Sequence, residues 1–310
     1  MIELRRKKIL VTGGSGFLGQ RIVDGLFKWG VPKANISTPD SKQFDLRRWE
    51  DCLKAAQGQD VVFHMAAFTS HILDKNSIQG QIFYENLIMG AHMLEAARVA
   101  GVQKIITSGS SAEYPESAPS PLKEDDLWLG RPPEIDAYYG LSKKLLIVQG
   151  QGYRRQYGLN AIHLIFTNMF GPGERPESGY AVPSLIQRII DAKRSNSPFV
   201  KVWGTGRTVR DLLFVDDAVR GIRLAAETYH KEDPVNIGSG VGMSIKELVE
   251  NSARVANFSG EIHWDVTKPE GRIQRVLDGT RAKREFGFVP STPFEEALRT
   301  TIKWHEKLSG

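Results

Sequence analysis

Short apolar runs rich in β-branched residues alternate along this chain with longer stretches whose apolar positions recur at helical spacing. Ile9 to Thr12 precedes a helical pattern over Phe17 to Trp29, and Val61 to His64 precedes one over Ile82 to Ala100. Lys104 to Thr107 is followed by a helical pattern over Tyr138 to Tyr157 and by the strand-like run Ala161 to Phe166. This order predicts strand–helix–strand units, hence a parallel sheet covered by helices on both faces. The strands agree, because KILVT, DVVFHM and KIIT are continuous apolar runs, as strands buried on both faces should be. Beyond GPGERPESG, Gly171 to Gly179, the rhythm loosens into isolated helices and short strands, so a smaller lobe is expected to begin there. Asp211 to Val215 and Val235 to Ile237 still read as strands, which predicts that the sheet takes back part of the later chain.

Composition narrows the class. At 310 residues, with 41% hydrophobic and 25% charged residues and no repeat, the chain reads as a globular enzyme-sized protein. A single cysteine, Cys52, excludes intramolecular disulfides and thiolate zinc sites, and the seven histidines form no HxxxH pair, so no metal is expected. The first apolar stretch, Ile9-Leu10-Val11, is too short for a signal peptide, and no run approaches the roughly 20 residues that span a bilayer. A cytoplasmic protein without membrane contact is expected. The net charge of +5 comes from scattered Lys and Arg residues rather than a stripe, so nucleic acid is not an expected partner.

Strand KKILVT runs into GGSGFLG, which sets Gly13, Gly16 and Gly19 at GxxGxxG spacing before a helix that opens with Phe17 and Leu18. Glycines there allow a tight turn and let backbone N–H groups approach a pyrophosphate at the positive end of the helix dipole. A dinucleotide is the predicted ligand. An acidic residue about 20 positions further on holds the ribose hydroxyls of NAD, whereas a positive one favours the 2′-phosphate of NADP. Asp40 stands 21 residues after Gly19, but Lys42 is close by and TPDS also reads as a plain turn. NAD is expected, with NADP second.

In DAYYGLSKKLLIVQG, Tyr139 and Lys143 are four residues apart and project from one helix face. A phenol is a poor base at neutral pH; a nearby ammonium and the positive charge of a bound nicotinamide would lower its pKa. Tyr138 competes less well, since its fourth successor is Ser142. KIIT would carry Ser110 to the carboxyl end of a parallel strand, where open α/β sheets place their ligands. Alone, Ser110 reads as a loop serine; beside Tyr139 and Lys143 it can bond the oxygen that the tyrosine deprotonates.

Together these pieces resemble the extended short-chain dehydrogenase/reductase superfamily, in particular its NAD-dependent epimerase/dehydratase family of nucleotide-sugar enzymes. GGSGFLG, FDLR, HMAA, ENLIMG, GSSAEYP, YYGLSK, TNMFGP, RDLLFVDDA and VNIGSG all fall in family order. The resemblance implies an α/β fold, a Rossmann-type doubly wound parallel sheet with a smaller C-terminal substrate-binding lobe. Residues 1–170 would be mainly the NAD-binding domain, with returns near 205–240, and residues 171–310 mainly the lobe for a nucleotide-diphosphate sugar. It implies an adenine contact at Asp45 and Leu46, passage of Ala66 and Ala67 along the pyrophosphate and ribose, and catalysis by Ser110, Tyr139 and Lys143. Asn168 and Arg210 match residues that bind the substrate diphosphate or sugar. A guanidinium suits phosphate oxygens, although an ion pair with Asp211 is the other reading of Arg210. Arg188 matches a guanosine-diphosphate-binding arginine, and Trp203 is a flat nucleotide contact or core filling. Family members pair as homodimers through the helices near Ile82 to Ala100 and Tyr138 to Tyr157.

Within that superfamily VQGQGYRRQYGLN, VWGTGRTVRDLLFVDD and KPEGRIQRVLD are similar to GDP-L-fucose synthases, which epimerise a 4-keto sugar at two carbons and then reduce it. The cysteine and histidine that exchange protons there fall on Ala112 and Tyr180, and the arginines that grip NADP fall on Ser15 and Ser41. Alanine exchanges no proton, so double epimerisation is not expected. A 4,6-dehydratase needs an acid at position 112, and Glu113 should point the other way in an extended segment. A 4-epimerase tolerates a small residue. The expectation is therefore an NAD-dependent nucleotide-sugar 4-epimerase working through a 4-keto intermediate. The alternatives are an NAD(P)H-dependent 4-keto sugar reductase of GDP-L-fucose synthase type and a dinucleotide-binding sensor without activity. The nucleotide, UDP, GDP or dTDP, is left open.

Overall fold

The computed structural model describes residues 1–69, 77–176, 180–267 and 273–308. The end of the Gly171 to Gly179 loop and the start of the KPEGRIQRVLD segment lie outside the described residues. In the first half, β1 (Ile9–Thr12), α1 (Phe17–Lys28), β2 (Ile36–Ser37), α2 (Trp49–Ala56), β3 (Val61–His64), α3 (Gln79–Val99), β4 (Lys104–Ser110), α4 (Glu134–Tyr157) and β5 (Ala161–Phe166) follow one another. In the second half come β6 (Asn168–Phe170), α5 (Ala181–Arg194), β7 (Phe199–Trp203), β8 (Val209–Phe214), α6 (Val215–Thr228), β9 (Val235–Ile237) and β10 (Gly242–Ser244). They lead to α7 (Ile245–Ala256), β11 (Glu261–Asp265), β12 (Gln274–Arg275), α8 (Thr280–Phe286) and α9 (Phe294–Leu308).

Six strands form a parallel sheet in the order β2-β1-β3-β4-β5-β9. Every residue of β1, β3 and β5 is buried, which is why these runs carry no polar alternation. One face packs on α1 and α6 through Ile22, Leu26, Ile222 and Ala225, and the other packs on α2, α3 and α4 through Cys52, Met93, Leu94 and Leu146. Lys104 opens β4 inside the protein, and its Nζ donates to the carbonyls of Ala225, Ala226 and Tyr229 at 2.8, 2.8 and 2.5 Å, capping the end of α6.

Of the two later strands expected to rejoin this sheet, Val235–Ile237 does, beside β5. Val209–Phe214 does not: it pairs with β6, β10 and β12 in a second sheet. A second core, built from α5, α7, α9, β7 and β8 around Ile186, Ile189, Leu248 and Leu298, belongs to this part. Asp211 joins the two sheets. Wholly buried, it accepts from Ser239 N and Oγ at 2.8 and 2.6 Å, Gly240 N at 3.3 Å and Leu277 N at 3.1 Å. Among the described residues no helix is long and apolar enough to cross a membrane, and no group of three or more His, Cys, Asp or Glu side chains is placed to hold a metal ion.

Candidate active site

The site lies along the carboxyl ends of β1, β3, β4 and β5, where the parallel strands deliver their loops. Gly13 has φ +70°, and a Cβ there would stand 2.8 Å from Ala66 N, so the turn after β1 and the segment after β3 close on each other. A Cβ on Gly19 would overlap the Gly13 carbonyl, which fixes the spacing of the turn. Gly16 is the N-cap of α1 and brings no side chain to the helix N-terminus. The turn is thus a cradle of backbone that fits a dinucleotide pyrophosphate, with Phe17 and Leu18 half-buried behind it. Ala66 N donates to Thr12 Oγ1 at 3.3 Å, and that hydroxyl lies 2.9 Å from His64 Nδ1. Burial, and next the charge of Lys143, push the His64 pKa down to about 3, so this imidazole stays neutral. Ala67, next to Ala66, is exposed along the same edge.

The strand expected to stop at Thr107 continues to Ser110, because Ser108, Gly109 and Ser110 pair with Leu164, Ile165 and Phe166. Ser110 then caps a short 3₁₀ turn, Ser111–Glu113, accepting from Ala112 N at 3.2 Å. The start of α4 presses on this turn: a Cβ on Gly140 would overlap Ala112 O. Tyr139 is one residue earlier on this helix, and Lys143, one helical turn on, has its Nζ 6.0 Å from the Tyr139 ring centroid. Ser110 caps the turn on which this part of α4 presses.

The Tyr139 phenol is raised, first by burial and then by Tyr180 and Glu113, whereas the lowering expected from the sequence belongs to the complex with a bound nicotinamide. Burial brings the Lys143 ammonium down to about 8, with Glu113 opposing that fall. Glu113 points away from the cleft, as its position after Ala112 suggested. It is wholly buried and accepts from Ser110 N at 2.7 Å and from His163 Nε2 at 3.2 Å.

Two groups escaped the sequence reading on the substrate side. Glu174, in the loop after β6, is buried; its pKa is pushed up to about 8 by burial, and among the described residues its Oε2 has no hydrogen-bond partner. This loop bends over the start of α1, since Arg21 Nε donates to Pro172 O at 3.0 Å. Among the described residues the buried Asn168 Nδ2 on β6 likewise has no partner. Arg275 stands opposite Arg210 in the β12–β8 register, so two arginines are side by side in the second sheet. Arg275 Nη2 also donates to Asp136 Oδ2 at 2.5 Å, in the first turn of α4, and among the described residues Arg275 Nε has no partner. The segment KPEGRIQRVLD was noted for its likeness, but nothing in it singled out Arg275; strand register reveals the pair. Asp211, the rival partner for Arg210, spends its carboxylate on Ser239, Gly240 and Leu277. Arg188 lies over the half-exposed Trp203 ring at 4.8 Å, so these two expected nucleotide contacts form one stacked unit rather than core filling.

At the adenosine end, Asp40 sits in an exposed turn three residues beyond β2, its Oδ1 accepting from Lys42 N at 2.8 Å. Asp45 holds the Arg47 guanidinium, Oδ1 to Nε at 2.8 Å and Oδ2 to Nη2 at 2.8 Å, while Leu46 is buried in the core. Ser15 and Ser41 are exposed.

A model of the NAD dependent epimerase/dehydratase family matches residues 9–238. Probable GDP-L-fucose synthase 1 of Oryza sativa subsp. japonica is 33% identical over 303 residues, covering 96% of this chain and 92% of the relative. Among solved structures, the GDP-L-fucose synthetase of Naegleria fowleri bound to NADP is 25% identical with a TM-score of 0.87, covering 97% and 94% of the two chains. The UDP-glucose 4-epimerase of Thermotoga maritima with UDP-glucose is 26% identical with a TM-score of 0.85, covering 97% and 99%.

Proposed function

The chain belongs to the NAD dependent epimerase/dehydratase family, and from that premise we propose that it reduces the 4-keto group of a guanosine-diphosphate sugar without epimerising its neighbouring carbons. This takes the reductase alternative over the 4-epimerase expected from the sequence. The observation that carries it is the likeness to a GDP-L-fucose synthase over 96% of this chain, set beside an alanine, Ala112, in the turn that α4 presses on. The Tyr139 phenol, pushed above its ordinary value by burial, suits the proton donor of such a reduction. The relative named for GDP-L-fucose supports a GDP-sugar, and the stacked Arg188–Trp203 unit offers a purine a flat, cationic face.

A reduced nicotinamide, when bound in the glycine cradle, supplies the hydride. Gly13, Gly16, Gly19 and Ala66 would hold its pyrophosphate and Lys143 its ribose. Tyr139 donates its phenol proton to the sugar 4-oxygen as negative charge develops there. Ser110 donates a hydrogen bond to the same oxygen, and the Lys143 ammonium stabilises the phenolate left behind. Arg210 and Arg275 grip the diphosphate. Ala112 offers no base where GDP-L-fucose synthases place a cysteine, so C3 and C5 keep their configuration. NADH is preferred within this reading, because Ser15 and Ser41 bring no cation to a 2′-phosphate and the Arg47 fork is occupied by Asp45. The homodimer is kept as well, since Tyr84, Leu145 and Val148 leave apolar side chains exposed on α3 and α4.

The test mixes the protein with a 4-keto GDP-hexose and NADH or NADPH in deuterium oxide, following cofactor absorbance and product by proton NMR. Stoichiometric oxidation of cofactor, with no deuterium at C3 or C5, is expected. Interconversion of a GDP- or UDP-hexose with its C4 epimer, given a trace of NAD and no reductant, would overturn the reading in favour of the epimerase. Binding without turnover across the panel would favour the sensor.

A further inference from the structure

The Ser111–Glu113 turn hides a buried acid that the mechanism above does not use. Glu113 Oε1 accepts the Ser110 backbone N–H at 2.7 Å, and both carboxylate oxygens lie 3.2 Å from His163 Nε2. An ionised carboxylate only accepts, so Nε2 donates to it; Nδ1 lies 2.8 Å from the Thr107 hydroxyl, which also reaches the Ile162 carbonyl at 3.3 Å. The chain Thr107–His163–Glu113–Ser110 therefore crosses from β5 back to the end of β4, beneath the reacting groups. It is built into the backbone as well: a Cβ on Gly109 would overlap both His163 Nε2 and Glu113 Oε1. A buried carboxyl held beside a position where a Cβ would not fit is costly to keep for packing alone, since apolar residues of similar volume often pack as well.

We propose that Glu113, clamped by His163, is a positioning residue that fixes the Ser110 hydroxyl at the end of β4 and sets a negative charge behind Tyr139 and Lys143. Two effects follow from its place. The Ser110 N–H to Glu113 bond orients the serine that bonds the 4-oxygen. The carboxylate also favours the protonated forms of its neighbours, adding to burial in raising Tyr139 and opposing the burial that lowers Lys143. Glu113 is faced by His163 from β5, by Tyr139, Lys143 and Lys144 from α4, and by the adjoining Tyr114; Lys143 is faced in addition by His64 from β3. Glu113 thus biases the site towards proton donation, and this inference rests on the reductive reading for its kinetic part alone.

The test uses Glu113→Gln, which keeps the shape and one acceptor but removes the charge, in the full chain. Its first readout is dinucleotide affinity against pH, by fluorescence titration without sugar, and so stands apart from the proposed reaction. The wild-type affinity should fall as Lys143 deprotonates through about pH 8, and the variant's midpoint should move down by about half a unit or more. The second readout is a fall in kcat of about tenfold with the sugar KM within about twofold. A folded Glu113→Gln protein with the wild-type midpoint and kcat overturns the proposal. A shifted midpoint with no turnover on any 4-keto sugar supports it while sinking the reductive reading. Should that variant fail to fold, His163→Gln, which can still donate to Glu113, is expected to keep most of kcat while His163→Leu loses about tenfold. Equal kcat in those two variants would overturn the clamp, because a purely structural loss would not separate them.

Discussion

At the scale of single residues, the site depends on which protons burial holds in place. Tyr139→Phe removes the proton donor and leaves the glycine cradle untouched, so kcat should fall by about a thousandfold while dinucleotide affinity stays within about twofold, measured by steady-state kinetics and fluorescence titration. Glu174 makes a prediction about stability. Its folded pKa, pushed up to about 8 from the usual 4.5, means that the native protein keeps a proton which the unfolded chain releases between those values. Stability from this group is therefore fully present below about pH 4.5 and is lost progressively as pH rises towards 8. Glu174→Gln lacks that slope. In the ligand-free protein its advantage over the natural chain, from urea unfolding, should be near zero at pH 5 and reach about 1–3 kcal/mol above pH 8. An advantage independent of pH would show that Glu174 is not held neutral.

At the scale of elements, α4 and the 3₁₀ turn after β4 form one device. Gly140 lets the helix touch the Ala112 carbonyl, which seats Tyr139. Gly140→Ala inserts a methyl group into that contact and must push the helix off the turn, so kcat should drop at least tenfold with a melting temperature lowered by only a few degrees. An unchanged kcat would separate the helix position from catalysis. Much of this was legible beforehand. The Tyr139–Lys143 spacing on one helix face, the glycine turn and the ends of β1, β3 and β5 all follow from periodicity and local backbone chemistry. The last three residues of β4 were not legible, since Ser108, Gly109 and Ser110 carry no apolar signal and become strand only by pairing with β5. Glu113 likewise read as a residue pointing away, but its partner His163 stands 50 residues on and declares itself only across the sheet.

At the scale of the whole molecule, Asp211 holds the second sheet to the loops that follow β9 and β12. Asp211→Ala would leave the buried N–H of Leu277 and the half-buried N–H of Ser239 without their acceptor, at a cost of about 2–4 kcal/mol in denaturant unfolding. A loss below about 1 kcal/mol would mean that the sheets are joined by apolar packing alone. The outer faces of α3 and α4 carry the dimer prediction: Leu145→Glu combined with Val148→Glu should give a monomer by light scattering where the natural chain gives a dimer. By itself the sequence determined the strand–helix rhythm, the glycine turn, the family resemblance and the candidates Ser110, Tyr139 and Lys143, because each is written in residues close along the chain or in a fixed local spacing. Tertiary structure alone decided that Val209–Phe214 leaves the main sheet, that Arg275 joins Arg210, and that burial pushes the Tyr139 phenol above its ordinary value. Those outcomes depend on strand register and on burial, which are sums over distant parts of the chain and belong to no single segment of it.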